Sequence, residues 1–156
     1  MSILQPYKFK QLDNKYSFIT DNSIVYSVDF TDGSIYFYNL PPNIPVFELN
    51  IKVRNAVESN GQPYDKRMEV TIAAILSTFF KDNMNSLIYV CDNLDNRQKG
   101  RFRKFESWFK RSDNTQLEKY DVNFTTQDMQ ILASLIIHIE NPHKDLLVNL
   151  FFDLYK

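Results

Sequence analysis

Residues 86–111 read SLIYVCDNLDNRQKGRFRKFESWFKR. Two periodicities meet in this run, and the meeting decides the fold class. Leu87 to Val90 are apolar in succession, as in a short strand. A carboxylate-rich turn follows, with Asp92 and Asp95. From Gln98 to Arg111 the apolar residues recur at helical spacing: Phe102, Phe105, Trp108 and Phe109 share one face at about 3.6 residues per turn. A strand therefore feeds a basic, aromatic helix, and Trp108 is expected to be buried.

Upstream of this run the period is two. Tyr7, Lys8, Phe9 and Lys10 alternate, Asp13 and Asn14 turn the chain, and 16–20 alternates again. Asp21 and Asn22 turn it a second time, and 23–30 places Ile24, Tyr26 and Val28 on one face. Thr31, Asp32 and Gly33 read as a turn in which Gly33 takes positive φ. A strand over 35–38 is predicted next. Pro41, Pro42 and Pro45 interrupt it, and 46–53 then aligns Phe47, Leu49, Ile51 and Val53. Closely spaced turns make local hairpins the economical topology, an antiparallel meander of four or five strands with one polar face.

After the polar turn 58–63 the period changes to that of a helix. Asp65 is the predicted N-cap. Met68, Ile72, Ile75, Leu76 and Phe79 form the buried stripe. Strands are predicted over 120–124 and 131–139. The second, ILASLIIHI, is apolar enough for a central strand covered on both faces. Asn141 and Pro142 read as cap and first residue of a last helix carrying Leu146, Leu147, Leu150, Phe151 and Leu154. The predicted class is α+β: the meander, then helix-strand-helix-strand-strand-helix, in one mixed or antiparallel sheet with helices packed on it. Without repeats or linkers, residues 1–156 read as a single domain.

Composition narrows the function classes. Of 156 residues, 44% are apolar and 15% aromatic, enough for a packed core and against disorder. The net charge of −1 gives no global field for nucleic acid or membrane, so a charged site must be a local patch. The one cysteine, Cys91, excludes a disulfide framework and suits a reducing compartment. It reads as a core thiol, since the neighbouring Asp92 would raise its pKa. No signal peptide or spanning segment is evident, so the expected compartment is the cytoplasm. Abundant Asn, Lys, Ile, Tyr and Phe suggest a bacterial, AT-rich genome.

Two candidate sites stand out. Asp92 and Asp95, between strand end and helix start, suit a hard divalent cation. Helix capping accounts for them more simply, and no third ligand lies nearby in sequence, so no metal is expected. Next to them Arg97, Lys99, Arg101, Arg103, Lys104, Lys110 and Arg111 face a single carboxylate, Glu106. Such a helix can grip phosphates or an acidic partner. Alternatively, it is a solvated face whose long stems cover the aromatic stripe. A third feature is the excess of meander aromatics over what one sheet face can bury. Tyr36 and Tyr38, before the prolines, are the expected exposed partner patch. His138 and His143 are poorly placed as a metal pair, and His138 reads as a hydrogen-bonded structural residue. Catalytic serine, Walker A, Rossmann and zinc-protease signatures are absent from the sequence.

The run Cys91-Asp92, Asp95, Arg97-Gln98, Arg101, Arg103-Lys104-Phe105 and Trp108-Phe109, preceded by Thr71-Ile72 and Phe79-Phe80, resembles a family of short bacterial α+β proteins known only as a domain of unknown function. That resemblance implies no activity, ligand or catalytic residue. The element order is also similar to the core of GCN5-related acyltransferases. There, a Gly-rich loop opens the helix after the meander and holds the coenzyme A pyrophosphate on backbone amides. The matching segment here, QPYDKRM over 62–68, has Lys66 and Arg67 but only Gly61 nearby. Phe102, Phe105 and Phe109 stand on the helix that often supplies a tyrosine acid in that family, and the two leading helices are missing. The resemblance implies a parted strand pair beside the 86–90 strand and an open helix N-terminus near Asp65.

The expected function is a non-enzymatic cytosolic module that binds another protein, without a cofactor or a membrane. A nucleic-acid or phosphate binder using the 97–111 helix is the alternative. A degenerate acyltransferase-like fold binding an acyl-coenzyme A is the further one. Oligomeric state is not legible in the sequence.

Overall fold

Alternation upstream of residue 33 folds as three antiparallel strands, β1 (Phe9–Leu12), β2 (Lys15–Ile19) and β3 (Val25–Asp32). The computed structural model describes residues 4–55, 65–91, 98–112, 114–125, 127–128 and 130–154. β4 (Phe47–Val53) completes a meander of four strands. Then come α1 (Lys66–Phe79), β5 (Ser86–Cys91), α2 (Gln98–Ser112), β6 (Leu117–Thr125), β7 (Gln130–His138) and α3 (Lys144–Asp153). One seven-stranded sheet runs β1-β2-β3-β4-β5-β7-β6. Its neighbours are antiparallel except β4 and β5, which run parallel and share only the pairs Phe47↔Leu87 and Glu48↔Ile88. The predicted α+β class and element order are those of the structure.

Side-chain alternation across this sheet builds two cores. One face buries Phe18, Tyr26, Phe30, Leu87, Tyr89 and Ile136 beneath α1 and α2. Asp65 caps α1 as expected, accepting from the Arg67 and Met68 amides at 2.9 and 3.3 Å. Ile72, Ile75, Leu76 and Phe79 are its buried stripe, and Phe79 stacks on Phe30 at 4.0 Å between ring centroids. On α2, Phe105 packs against the Tyr89 ring at 4.2 Å between centroids and Trp108 is buried, which fixes the aromatic face inward. The opposite face buries Ile88, Leu135 and Ile137 against Leu147 and Phe151 of α3. β7 is thus covered on both sides, as its apolar run predicts.

The apolar core on that second face stops at β5, although Ser27 and Asp29 of β3 are also buried on it. Over β1 to β4 that face carries a register row Lys10↔Ser17↔Ser27↔Lys52. The Arg54 guanidinium lies across it, donating from Nε to Ser27 Oγ at 2.7 Å and from Nη2 to Asp29 Oδ2 at 3.2 Å. Among the described residues no helix is long and apolar enough to cross a membrane.

Three local expectations are corrected. The strand over 35–38 is absent: Ser34–Tyr36 is a 3-10 turn inside a long excursion between β3 and β4. The apolar run that suggested it packs Phe37 inward while Ile35 and Tyr38 point out. Gly33 has φ of −105°, not positive φ. A Cβ there would lie 2.9 Å from the Phe47 carbonyl carbon and 3.0 Å from the Glu48 nitrogen, so close approach to β4 selects glycine. Positive φ falls on Asp13, Ser23 and Asn39. Finally, α3 begins at Lys144, with His143 at the cap position. Asn141 accepts from the His143 amide at 2.8 Å and donates to the Met84 carbonyl at 3.3 Å. It closes the turn before the helix and does not cap the helix itself.

Candidate functional site

Three places carry the expected chemistry. Asp92, Asp95 and Arg97 lie outside the described residues, as do the side chains of Lys99, Arg101 and Arg111. Arg103, Lys104 and Lys110 are described, and all three are exposed on the outer side of α2. Arg103 and Lys110, two turns apart, line a shallow groove of about 450 Å³ with Glu106 and Ser107. The Ser107 hydroxyl donates to the buried Glu69 of α1 at 3.3 Å. The groove thus combines two cations with one carboxylate, backed by a second carboxylate. That lowers its positive potential below what the cation count of the helix suggests. Among the described residues the ion pairs are Arg54–Asp29, Arg67–Asp21, Lys119–Asp121 and Lys144–Glu118, and none involves Arg103, Lys104 or Lys110.

The α1 N-terminus is the place an acyltransferase-like reading would use. Here Asp65 occupies its first amides, and the Tyr7 hydroxyl donates to the same carboxylate at 2.7 Å. Arg67 lies 4.1 Å over the Tyr7 ring and donates to the Gln5 carbonyl at 2.9 Å. Burial pushes the Tyr7 hydroxyl above its usual range; the Asp21 amide donating to it opposes this, and Asp65 adds to it. The helix end is therefore sealed by the chain's own segment 5–7. The strand pair beside β5 does part: β4 runs on to Val53 and β5 to Cys91 with no further register between them.

The third place is the excursion 33–46. Its ends meet, since the Gly33 amide donates to the Val46 carbonyl at 2.8 Å and Asp32 pairs with Phe47. A long loop with joined ends and an inner packing of its own is an Ω-loop. Phe37, Ile44 and Val46 are its inner side, packed into the α3-side core. Its outer side carries Ile35 and Tyr38, 86% and 80% exposed. Tyr36 is half-buried, its hydroxyl donating to Glu48 Oε1 at 2.9 Å, so of the two expected tyrosines only Tyr38 stands on open surface. At the base of the loop Asp32 accepts the Ser34 amide at 2.9 Å, and that bond holds its carboxyl below the usual range. Beside it an open cleft of about 710 Å³ is lined by Phe30, Phe37, Leu40 and the three prolines. Sequence reasoning missed Ile35 and Asp32. The available signal was the density of prolines between two strands that end and begin in register.

His138 is buried, and its Nδ1 accepts the Glu140 amide at 3.0 Å. Among the described residues no cluster of three His, Cys, Asp or Glu is arranged to hold a metal.

One seven-stranded mixed sheet, with two helices on one face and a helix and an Ω-loop on the other, defines a single-sheet α+β protein. Within that class, the chain belongs to the family of unknown function DUF6169, which it matches over residues 64–153. The matched span runs from α1 to the end of α3, and the Ω-loop lies outside it. No curated protein matches the sequence. Among solved structures it is similar to that of a CoA-dependent acyl-homoserine lactone synthase, MesI, at 14% identity. That similarity covers 86% of this chain and 70% of the other, with a TM-score of 0.41.

Proposed function

We propose that the chain is a cytosolic, non-enzymatic protein-interaction module that docks through the loop 33–46. The observation carrying this reading is the exposure of Ile35 and Tyr38 on a loop whose inner side is locked into the core. An aromatic and an aliphatic side chain held out by a rigid scaffold lose little freedom on binding, which is the character of interface anchors. The test is affinity capture from native cells with wild type and an Ile35→Ser/Tyr38→Ser variant. Recovery of the partner should fall by about thirtyfold, the equivalent of about 2 kcal/mol, with the melting temperature unchanged. Equal recovery by both chains would remove the loop from the interface.

A second reading, a degenerate acyltransferase-like relative that binds an acyl-coenzyme A, is favoured by the parted β4–β5 pair. The sealed α1 N-terminus weighs against it, because a pyrophosphate there would have to displace Asp65. Acetyl-coenzyme A at millimolar concentration should leave the melting temperature unmoved, and a clear rise would reverse the order of the two readings. The nucleic-acid reading ranks below both, since Glu106 and Glu69 accompany the cations of the groove.

A further inference from the structure

The open face of the meander, on the α3 side of the sheet, is cationic. Lys10 of β1, Lys15 of β2 and Lys52 of β4 stand on it, all exposed and none in an ion pair among the described residues. Lys8 joins them by alternation, because Tyr7 and Phe9 on either side of it pack into the opposite core. The two carboxylates on the strands of this face are already engaged. Asp29 is buried and pairs with Arg54 at 3.2 Å, and Glu48 accepts the Tyr36 hydroxyl at 2.9 Å. Asp13 lies beyond them in the β1–β2 turn, and the bordering loop 33–46 has no charged residue. The α2 groove differs, since Glu106 lies beside its cations and Glu69 behind them.

Lys10 and Lys52 close the two ends of their register row, so three strand spacings of about 4.8 Å, about 14 Å in all, separate their backbones. That is close to the roughly 12 Å width of a DNA major groove, so the two ammonium groups can reach phosphates on either side of it. Ser17, between them, adds a hydroxyl donor of the kind that contacts phosphate. No aromatic side chain stands on the strands of this face, so bases have nothing there to stack on and contact is with the backbone alone. A duplex carries one negative charge per about 1.7 Å and releases condensed counterions when it is bound. An anionic bilayer would hold these lysines by charge at only about millimolar strength.

We propose that the open face of the meander binds the phosphate backbone of double-stranded DNA without reading its sequence. This is a second binding surface, and it does not rest on the docking role of the loop. Each lysine that neutralises a phosphate contributes about −0.9 to the slope of log affinity against log salt, so Lys8, Lys10, Lys15 and Lys52 together give about −3.6. No base edge is read, so duplexes of different sequence bind alike.

Fluorescence anisotropy with a labelled DNA duplex of about 20 base pairs, at about 50 and about 200 mM salt, tests this. Wild type should bind with a Kd below about 100 μM at the lower salt and about 100-fold more weakly at the higher. A duplex of unrelated sequence should bind within about threefold of the first. Lys10→Glu/Lys15→Glu/Lys52→Glu should keep the wild-type melting temperature and show no binding up to about 1 mM. Arg103→Glu/Lys110→Glu on α2 should bind as wild type does. Lys52→Gln alone should reduce the salt slope by about 0.9, a readout that stands even if the triple variant does not fold. A wild-type Kd above about 100 μM at the lower salt would overturn the proposal. So would binding that survives the triple reversal, an unchanged slope for Lys52→Gln, loss of binding on the α2 reversal, or a single strand held more tightly than the duplex. Phosphatidylserine vesicles bound more tightly than the duplex would overturn it too, and would assign the face to an anionic bilayer entered by Leu12 and Ile19, which are exposed on the same face.

Discussion

The two halves of the sheet solve the burial problem differently. In β5–β7–β6, Leu135, Ile136 and Ile137 are consecutive and all 0% exposed, because helices lie on one face and α3 with the Ω-loop on the other. In β2, Tyr16 and Phe18 are buried while Lys15 and Ile19 on either side of them are exposed, because a core covers only one face; in β3, Ser27 and Asp29 on the other face are buried where Arg54 bonds to them. The period of a strand therefore reports how many layers cover it. Seen this way, the Ω-loop supplies cover that β5 and β7 require and α3, at ten residues, is too short to give alone. Its inner side chains belong to the fold, which leaves the outer ones open to selection for contact.

The largest losses are expected where the doubly covered half is hollowed from each side. Trp108→Ala and Phe151→Ala should each cost about 3–5 kcal/mol in urea titration. Lying on opposite faces, their effects should add. A loss below about 1 kcal/mol for either would mean that its face is not a packed layer. Next comes the seal on α1: Asp65→Ala removes a cap and the Tyr7 contact, and should cost about 0.5–2 kcal/mol. On the open face of the other half, Ser17→Ala and Lys52→Ala should stay within about 0.5 kcal/mol of wild type. A larger loss at either would reveal an unseen covering layer.

The smallest effect concerns pH. Hydrogen bonds from Tyr120 first, and then Lys144, hold the Glu118 carboxyl below its ordinary range. Its contribution is fully present above the unfolded carboxylate value of about 4.3 and is lost as pH falls through the lower folded value. Lys144, raised by the same carboxylate, contributes below its unfolded value and loses that contribution as pH rises through the folded one. Glu118→Gln should therefore flatten the acid limb of a melting-temperature profile slightly, as expected for an exposed pair. An unchanged limb would show that α3 is held by its apolar contacts alone.

The fold was legible where one period ran long enough. The stripe of α1, the aromatic face of α2 and the continuous apolar run of β7 each predicted their own burial. The sequence of 35–38 misled because a short apolar run also occurs in a compact loop, with Tyr36 and Phe37 packed and Ile35 and Tyr38 exposed. Gly33 misled because glycine serves close approach as well as positive φ. The candidate site was legible in part. Tyr38 and the cations of α2 could be named, but their neighbours could not. Glu69 reaches the α2 groove from another helix, and Asp65 seals α1 with help from Tyr7, so both contacts depend on long-range packing.

The parallel seam between β4 and β5 has a consequence for how the molecule opens. Each half is laced by antiparallel ladders along its length, but only two register pairs join one half to the other. Across that line the Phe30–Phe79 stack and the Tyr7 amide bonded to Thr71 tie the meander to α1. The two halves share the core beneath α1 and α2, so the join is narrow in backbone pairing alone, and the meander is expected to open before the β5–β7–β6 unit. Amide protons of Leu135 to Ile137 should exchange with solvent only when the whole protein unfolds. Those of Ser17 and Ile19 should exchange through a smaller opening at lower free energy.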